Sequence, residues 1–506
     1  MSPYDPTKPQ SVLRVALISR VLLVFLIATW RSLAPPYDTS ASLNPTCLAS
    51  PRPTTTAPGS VPLQRVGSAI EDSIVWDGVY FVRIAECGYE YEQTYAFLPL
   101  LPFCIRALSR TVFAPLVPIL GYRAVLGLSG YVLNNVAFLF AAVYFYKLSV
   151  LILKDTDAAF RASVLFCFNP ASIFYSSLYS ESLYSLFSLG GLYHLLSGAN
   201  TIAVLLLAVS GSARSNGVLN AGYFCFQGMH QAYDAILRKK SPSLAVKAIV
   251  VAAMRTLFIF APFIGFQAYA YFNICRGSLS EELRPWCKAR VPLLYDFLQS
   301  HYWGVGFLRY FQLKQLPNFL LASPILSLAV CSIIHYGKLR PDIVFSLGIR
   351  ASPEERNSSA VLYLLGTDQR LKSSQVSVKS SSSKSLREDL TVRRRKQKTG
   401  EEDSDSNQDA LQSDYEASSP AKQGYASILV LPFVLHMGFM TAVAFFVMYV
   451  QVATRFLSAS PPLYWFAAYL TASPSNSRSW GYFIGAYFAA YILLGSLLFS
   501  NFYPFT

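Results

Sequence analysis

Charge is what this chain has little of. Asp, Glu, Lys and Arg make up 14% of its 506 residues, against about 25% in soluble domains, whereas 53% are hydrophobic and 15% aromatic. That deficit excludes a soluble globular domain and predicts an all-α polytopic membrane protein. Histidine is scarce too: the five present, among them His194, His301 and His436, have no companions at ligand spacing, so no metal site is expected. The eight cysteines divide between apolar runs and loops, and their spacing fixes no pairing. One glycosylation sequon occurs, Asn357-Ser358-Ser359, because Asn44 is followed by Pro45. No internal repeat stands out. The first apolar run has no small-residue cleavage site and carries Arg14 and Arg20, so an uncleaved anchor is expected. The net charge of +14 comes from basic residues dispersed among loops with no RNA- or DNA-binding motif around them. Anionic headgroups, not nucleic acid, are the expected partners of that charge.

What is abundant is long apolar sequence. Residues 12–30, 123–150, 245–272, 425–450 and 480–500 each reach the roughly 20 residues needed to cross a bilayer. Shorter runs at 95–107, 112–121, 160–174, 178–196, 202–211, 218–236 and 317–336 bring the expectation to about twelve spans, several too short to cross unaided. Basic residues gather in alternate connections: Lys147, Lys154 and Arg161, then Arg238-Lys239-Lys240, then Lys338, Arg340 and Arg393-Arg394-Arg395-Lys396. These loops are expected to be cytosolic. Parity then puts 31–93, the 175–177 corner, 212–217, 275–315 and 451–478 on the opposite, lumenal side, together with Cys47, Cys87, Cys275 and Cys287.

Three regions follow. Residues 1–337 form a membrane-embedded region with lumenal loops 31–93 and 275–315, the first containing a Pro/Ser/Thr-rich stretch at 40–59. Residues 338–424 turn polar, with Ser380-Ser381-Ser382-Ser383 and Glu401-Glu402-Asp403-Ser404-Asp405, and are expected to be a disordered cytosolic insertion. Residues 425–506 return to the membrane around lumenal loop 451–478.

Polar clusters recur at the ends of runs on the lumenal side. Trp76-Asp77-Gly78-Val79-Tyr80-Phe81 places a carboxylate just after the first span; it suits catalysis, and equally a helix cap among interfacial aromatics. Asn169-Pro170 leads into the hydroxyl-rich stretch 172–182, in which Glu181 is costly at membrane depth. It fits either a binding role or a helix start. Ser212-Ala213-Arg214-Ser215-Asn216-Gly217 offers a guanidinium able to grip phosphate with two arms, or a snorkelling interfacial arginine. His301-Tyr302-Trp303-Gly304 with Arg309, and Thr454-Arg455-Phe456 with Pro461-Pro462-Leu463-Tyr464-Trp465, add rings and two further arginines. Interfacial aromatic belts account for the rings but not for arginines on the less basic side.

Taken in order, Trp76-Asp77-Gly78, Arg83-Ile84-Ala85, Gly88-Tyr89, Ala96-Phe97-Leu98-Pro99-Leu100-Leu101-Pro102, the 169–182 stretch, Ala213-Arg214-Ser215-Asn216-Gly217, Tyr302-Trp303-Gly304 and Thr454-Arg455-Phe456 through Tyr464-Trp465 resemble the PIG-V family of GPI mannosyltransferases. The resemblance implies a GT-C type multi-span helical bundle with a long first lumenal loop in the endoplasmic reticulum membrane. It further implies transfer of mannose from dolichol-phosphate-mannose to the second mannose position of the GPI precursor, in α-1,6 linkage. No cofactor is expected, since the lipid-linked sugar is a co-substrate. A small membrane partner subunit is expected from fungal relatives.

Displacing a lipid phosphate from a sugar asks little of the leaving group but needs a base for the attacking hydroxyl, so one carboxylate suffices for an inverting step. Asp77 is assigned that role, with Glu71 and Asp72 as alternatives within two helical turns. Arg214, Arg309 and Arg455 are candidates for the phosphate. Trp303, Tyr302 and Trp465 are candidates for packing on lipid or sugar, and Trp76, Arg83, Tyr175, Glu181 and Asn216 complete the substrate-binding set. Rival readings are a dolichol-phosphate-mannose enzyme with another acceptor, a transporter or scramblase, and a non-catalytic scaffold.

Overall fold

A computed structural model describes residues 7–37, 47–48, 62–276, 284–365, 424–472, 477–503 and 505. Among them there is no strand, and the chain is an all-α polytopic membrane protein. Among the described residues six helices are long and apolar enough to cross a bilayer: Lys8–Leu33, Tyr122–Leu153, Pro242–Arg276, Leu313–Leu339, Ile428–Phe446 and Ser479–Ser500. A seventh crossing is available from the pair Leu100–Arg110 and Ala114–Leu120, bent by 68° at the break. The remaining runs counted toward twelve become shorter helices that pack inside the bundle, because polar breaks cut them: Thr156–Cys167, Ser172–Ser176, Glu181–Leu196, Asn200–Ala213 and Ala221–Leu237.

Tyr122–Leu153 is the central post. The helices Lys8–Leu33, Thr156–Cys167, Glu181–Leu196 and Leu100–Arg110 all pack on it. By contrast only 11% of the most apolar window of Pro242–Arg276 is buried, so that span lies at the periphery with its side chains turned to lipid.

Polar side chains inside this apolar body have defined tasks. Asn134 and Asn135, halfway along the central post, donate to the carbonyls of Ser177, Tyr179 and Ser176, fixing a turn that helix periodicity would not produce. Arg20 on the first span is buried and meets no carboxylate among the described residues; its guanidinium bonds Cys167 O, Ser172 O and Oγ, and Ser176 Oγ, and lies 3.9 Å from the Phe138 ring centroid. The break at Asn169-Pro170 is closed by Asn169 itself, whose Oδ1 accepts from Ala171 N at 2.9 Å.

The first part of the expected polar insertion is folded. Residues 338–365 fold into the short helices Pro341–Phe345, Pro353–Ser358 and Ala360–Tyr363, with Ile343, Leu362 and Tyr363 buried. Arg340 bonds Ala426 O and Glu355, and Gln227 bonds Val361 O, so this piece is laced to the bundle from both sides. A Ser352 capping box starts the second of these helices, a local signal that overall polarity concealed. Residues 366–423, with the serine and acidic runs, lie outside the described residues.

If Arg20 organises the 167–176 corner, Arg20→Lys, which keeps the charge but loses the planar fork, should cost at least about 2 kcal/mol of stability. A lowered thermal midpoint of the detergent-purified protein checks this; an unchanged midpoint would show that the network is dispensable.

Candidate active site

Two acids begin helices and face one another across an arginine. Asp77 is the first residue of Asp77–Cys87 and Glu181 the first of Glu181–Leu196. Neither caps its helix through its side chain, so the capping reading does not describe them; each sits where the helix dipole favours a negative charge. Arg455, on the short helix Ala453–Leu457, donates from Nη1 to Asp77 Oδ2 at 3.2 Å and has Nε 3.9 Å from Glu181 Oε1. Arg214 Nη1 pairs with the same Glu181 oxygen. The four charges therefore alternate, Asp77, Arg455, Glu181, Arg214, and sum to zero, which suits a site at the edge of a low-dielectric body.

Exposure separates the two acids. The Asp77 side chain is 36% exposed and that of Glu181 only 2%. Asp77 Oδ1 takes no hydrogen bond among the described residues, whereas Glu181 Oε2 is buried without one. Burial works against the Arg455 cation, yet the Asp77 and Glu181 carboxylates outweigh it and hold its proton more firmly than usual. The rings of Phe174 and Tyr179 lie 5.4 and 5.3 Å from the same guanidinium.

The backbone delivers Asp77 at some cost. Trp76 has φ 54° and ψ −133°, a strained setting for a tryptophan that costs about 1–3 kcal/mol. Its indole Nε1 donates to Phe499 O at 3.1 Å and its ring packs on Phe502, so the C-terminal span end holds the strained residue in place. The Asp77 N–H donates to the Tyr179 hydroxyl at 3.2 Å. On the opposite wall the turn Ser215–Asn220 folds against the helix before it; a Cβ on Gly217 would lie 2.5 Å from the Ser210 carbonyl, so only glycine permits the approach that presents Arg214 and Asn216.

These walls enclose a cavity of about 240 Å³. Asp77, Glu181, Arg214, Asn216, Trp303 and Arg455 line it, joined by Phe97, Tyr179, Tyr295, Gln299 and Tyr449. Loop 284–303 closes one side: Tyr295 OH is 2.7 Å from Ser215 Oγ and its N–H donates to Gln267 Oε1. Glu92 ties the same loop to the segment after the Asp77 helix, accepting from Trp286 Nε1 at 2.6 Å and Tyr302 OH at 2.8 Å. Disulfides Cys47–Cys87 and Cys275–Cys287 staple both loops, while Cys104, Cys167, Cys225 and Cys331 are free.

Several expected site residues stand elsewhere. Glu71 and Asp72 end the separate helix Gln64–Asp72, and the break at residues 73–76 turns them away from the cavity; burial raises the Glu71 pKa, offset by Arg123. Trp76 works through the backbone. Arg83 is committed to Glu90 at 2.7 Å. Tyr175 is fully buried behind the site, bonded to Ser458 and Ser185, and Trp465 is buried on Ser149. Tyr302 reaches Glu92, not the cavity, and Arg309 is exposed outside it. Sequence reasoning missed Tyr179, Tyr295 and the Asn134–Asn135 pair. The paired amides within an apolar span were a readable signal; Tyr295, in a loop without motif, carried none. Among the described residues one grouping has metal-ligand types close together, Cys47, Cys87 and Glu90, but its two sulfurs form a disulfide.

The chain is 28% identical to human GPI alpha-1,6-mannosyltransferase 2 over 566 aligned positions, covering 100% of both chains. It is 31% identical to the Mus musculus protein of that name, over 71% of this chain and 74% of the relative. It is 29% identical to GPI mannosyltransferase 2 of Drosophila melanogaster, over 85% and 86%. No solved structure matches. The profile of the family described as mannosyltransferase (PIG-V) matches residues 9–506, so the chain belongs to the PIG-V mannosyltransferase family and is a multi-span membrane enzyme that transfers mannose.

Proposed function

We propose that this enzyme adds the second mannose of the GPI precursor, in α-1,6 linkage, taking it from dolichol-phosphate-mannose by one inverting displacement on the lumenal face of the endoplasmic reticulum membrane. The names of its relatives support the GPI acceptor and the linkage. The observation that carries the chemistry is a single cavity holding one accessible carboxylate, Asp77, beside two arginines.

In this reading Asp77 accepts the proton of the attacking mannose hydroxyl as that oxygen bonds to the anomeric carbon of the donor. The bond from that carbon to the phosphate oxygen breaks, and its electron pair leaves with the lipid phosphate. Arg214 and Arg455 supply positive charge for that leaving group, and the Asn216 amide nitrogen, buried without a partner on the cavity wall, is a further unused donor. The reaction so written calls on no cofactor. Trp303 and Phe97 offer aromatic walls for sugar or lipid. The lumenal assignment is supported by chemistry: the disulfides Cys47–Cys87 and Cys275–Cys287 fall in segments assigned to one side, and such bonds persist in oxidising compartments.

Asp77→Asn should lower mannosyl transfer about 10²–10⁴-fold while the protein remains folded in the membrane, read with labelled donor and microsomes lacking the endogenous enzyme. Near-normal turnover in that variant would remove Asp77 from the base role.

Arginine substitutions should split by position. Arg214→Ala is expected to raise the donor KM at least about tenfold, while Arg309→Ala stays within about twofold of the parent, since only the first side chain lines the cavity. Equal effects at both positions would argue that the donor binds elsewhere.

A further inference from the structure

Arg455 is poorly satisfied by the partners it has. Its contact to Asp77, at 3.2 Å, is long for an ionic hydrogen bond, which is usually about 2.7–2.9 Å, and Glu181 at 3.9 Å is beyond hydrogen-bond reach. Its Nε is buried with no partner, as is the amide nitrogen of Asn216 on the same cavity. Phe174 and Tyr179 hold the guanidinium by their faces, and such contacts fix its place without fixing the direction in which its N–H groups point. Arg214, by contrast, is engaged with the deeply buried Glu181. Two unused donors therefore wait on a cavity whose own charges already cancel.

We propose that Arg455 is a shared partner: the phosphate of the lipid-linked donor draws it away from Asp77, so that the base is uncovered only once the donor is seated. This rests on reading Asp77 as the base and the cavity as the donor site. A phosphodiester adds one negative charge to a neutral cluster, and it competes with Asp77 for the cation that has a buried N–H left over. Losing Arg455 and gaining an anion nearby both favour proton uptake by Asp77, which is the property its role demands. When the acceptor proton has moved to Asp77 and the glycosidic oxygen–carbon bond has formed, the lipid phosphate departs as a dianion against Arg455 while Asp77 is neutral. Loss of that proton to water, through the exposed side of Asp77, restores the competing carboxylate, returns Arg455 to it and loosens the product. Donor must then bind before acceptor can react.

The sign of one measurement separates this from an ordinary base. Dolichyl phosphate binding is measured on the purified full chain in nanodiscs. Asp77→Asn, which cannot compete for Arg455, should bind it about threefold to tenfold more tightly than the parent. In an Arg455→Gln background the same Asp77→Asn change should give no gain. Unchanged binding in Asp77→Asn overturns the proposal, and so does an equal gain in the Arg455→Gln background, which would mean simple relief of repulsion between two anions. A second readout needs no substitution at Arg455. The titratable and charged groups on the cavity are Asp77, Tyr179, Glu181, Arg214, Tyr295, Tyr449 and Arg455. Of these Asp77 is the accessible carboxylate, so the acid limb of kcat should lie at higher pH than that of kcat/KM for the donor. Coincident limbs overturn the exchange. Failure of the underlying reading looks different: Asp77→Asn would then still transfer mannose, whatever its affinity for dolichyl phosphate.

Discussion

Everything at this site depends on pairing charge inside a body with almost none to spare. A carboxylate at the membrane edge is tolerated when an arginine stands beside it, and an arginine there is tolerated when carboxylates flank it. The alternating row Asp77, Arg455, Glu181, Arg214 satisfies both conditions with residues from four separate parts of the chain. The row therefore acts as a pin that draws the first loop, the 179–181 turn, the 214–217 turn and the last loop into one wall.

Much of this was readable in the residues, and the part that was not has a physical reason. Apolar length identified the crossing helices because a bilayer imposes a minimum that few other structures need. It overcounted them because runs such as 160–174 and 202–211 are equally apolar when buried in protein, and hydropathy does not distinguish lipid from a helical neighbour. Asp77, Glu181, Arg214, Asn216, Trp303 and Arg455 were recognisable since each is a polar or aromatic group out of place beside a span. Arg309 and Trp465 carried the same local signature and proved to be elsewhere, one exposed and one buried on Ser149. Sequence position tells which groups need explaining; only the path of the chain tells which of them meet. The fold of residues 338–365 was hidden for a related reason. Composition averaged over 338–424 concealed a capping box and the buried side chains Ile343, Leu362 and Tyr363.

The polar groups buried deep in the bundle hold the reactive ones at its rim. Asn134 and Asn135 bind the carbonyls of the turn that carries Tyr179, and Tyr179 accepts the Asp77 N–H. Arg20, from the first span, bonds the corner that precedes the same turn. In a water-soluble enzyme such a turn could rely on solvent for its stray carbonyls. Here the spans must supply the donors, so helices that look like membrane anchors are part of the machinery that aims the acid. The strain at Trp76 belongs to the same arrangement, held by the far end of the chain through Phe499 and Phe502.

Two carboxylates of the same chemistry, on either side of one guanidinium, end up with different work because their access to water differs. Glu181 is nearly sealed, with Arg214 on one oxygen. It serves best as a fixed counter-ion that keeps the arginines in the wall. Asp77 has over a third of its side chain open and one oxygen uncommitted, so it can receive a proton from a substrate hydroxyl and pass it on to water in every cycle. A glycosyl transfer that inverts needs one such group and no second. In the proposed reaction the asymmetry of exposure, more than the identity of the acids, is what divides base from scaffold.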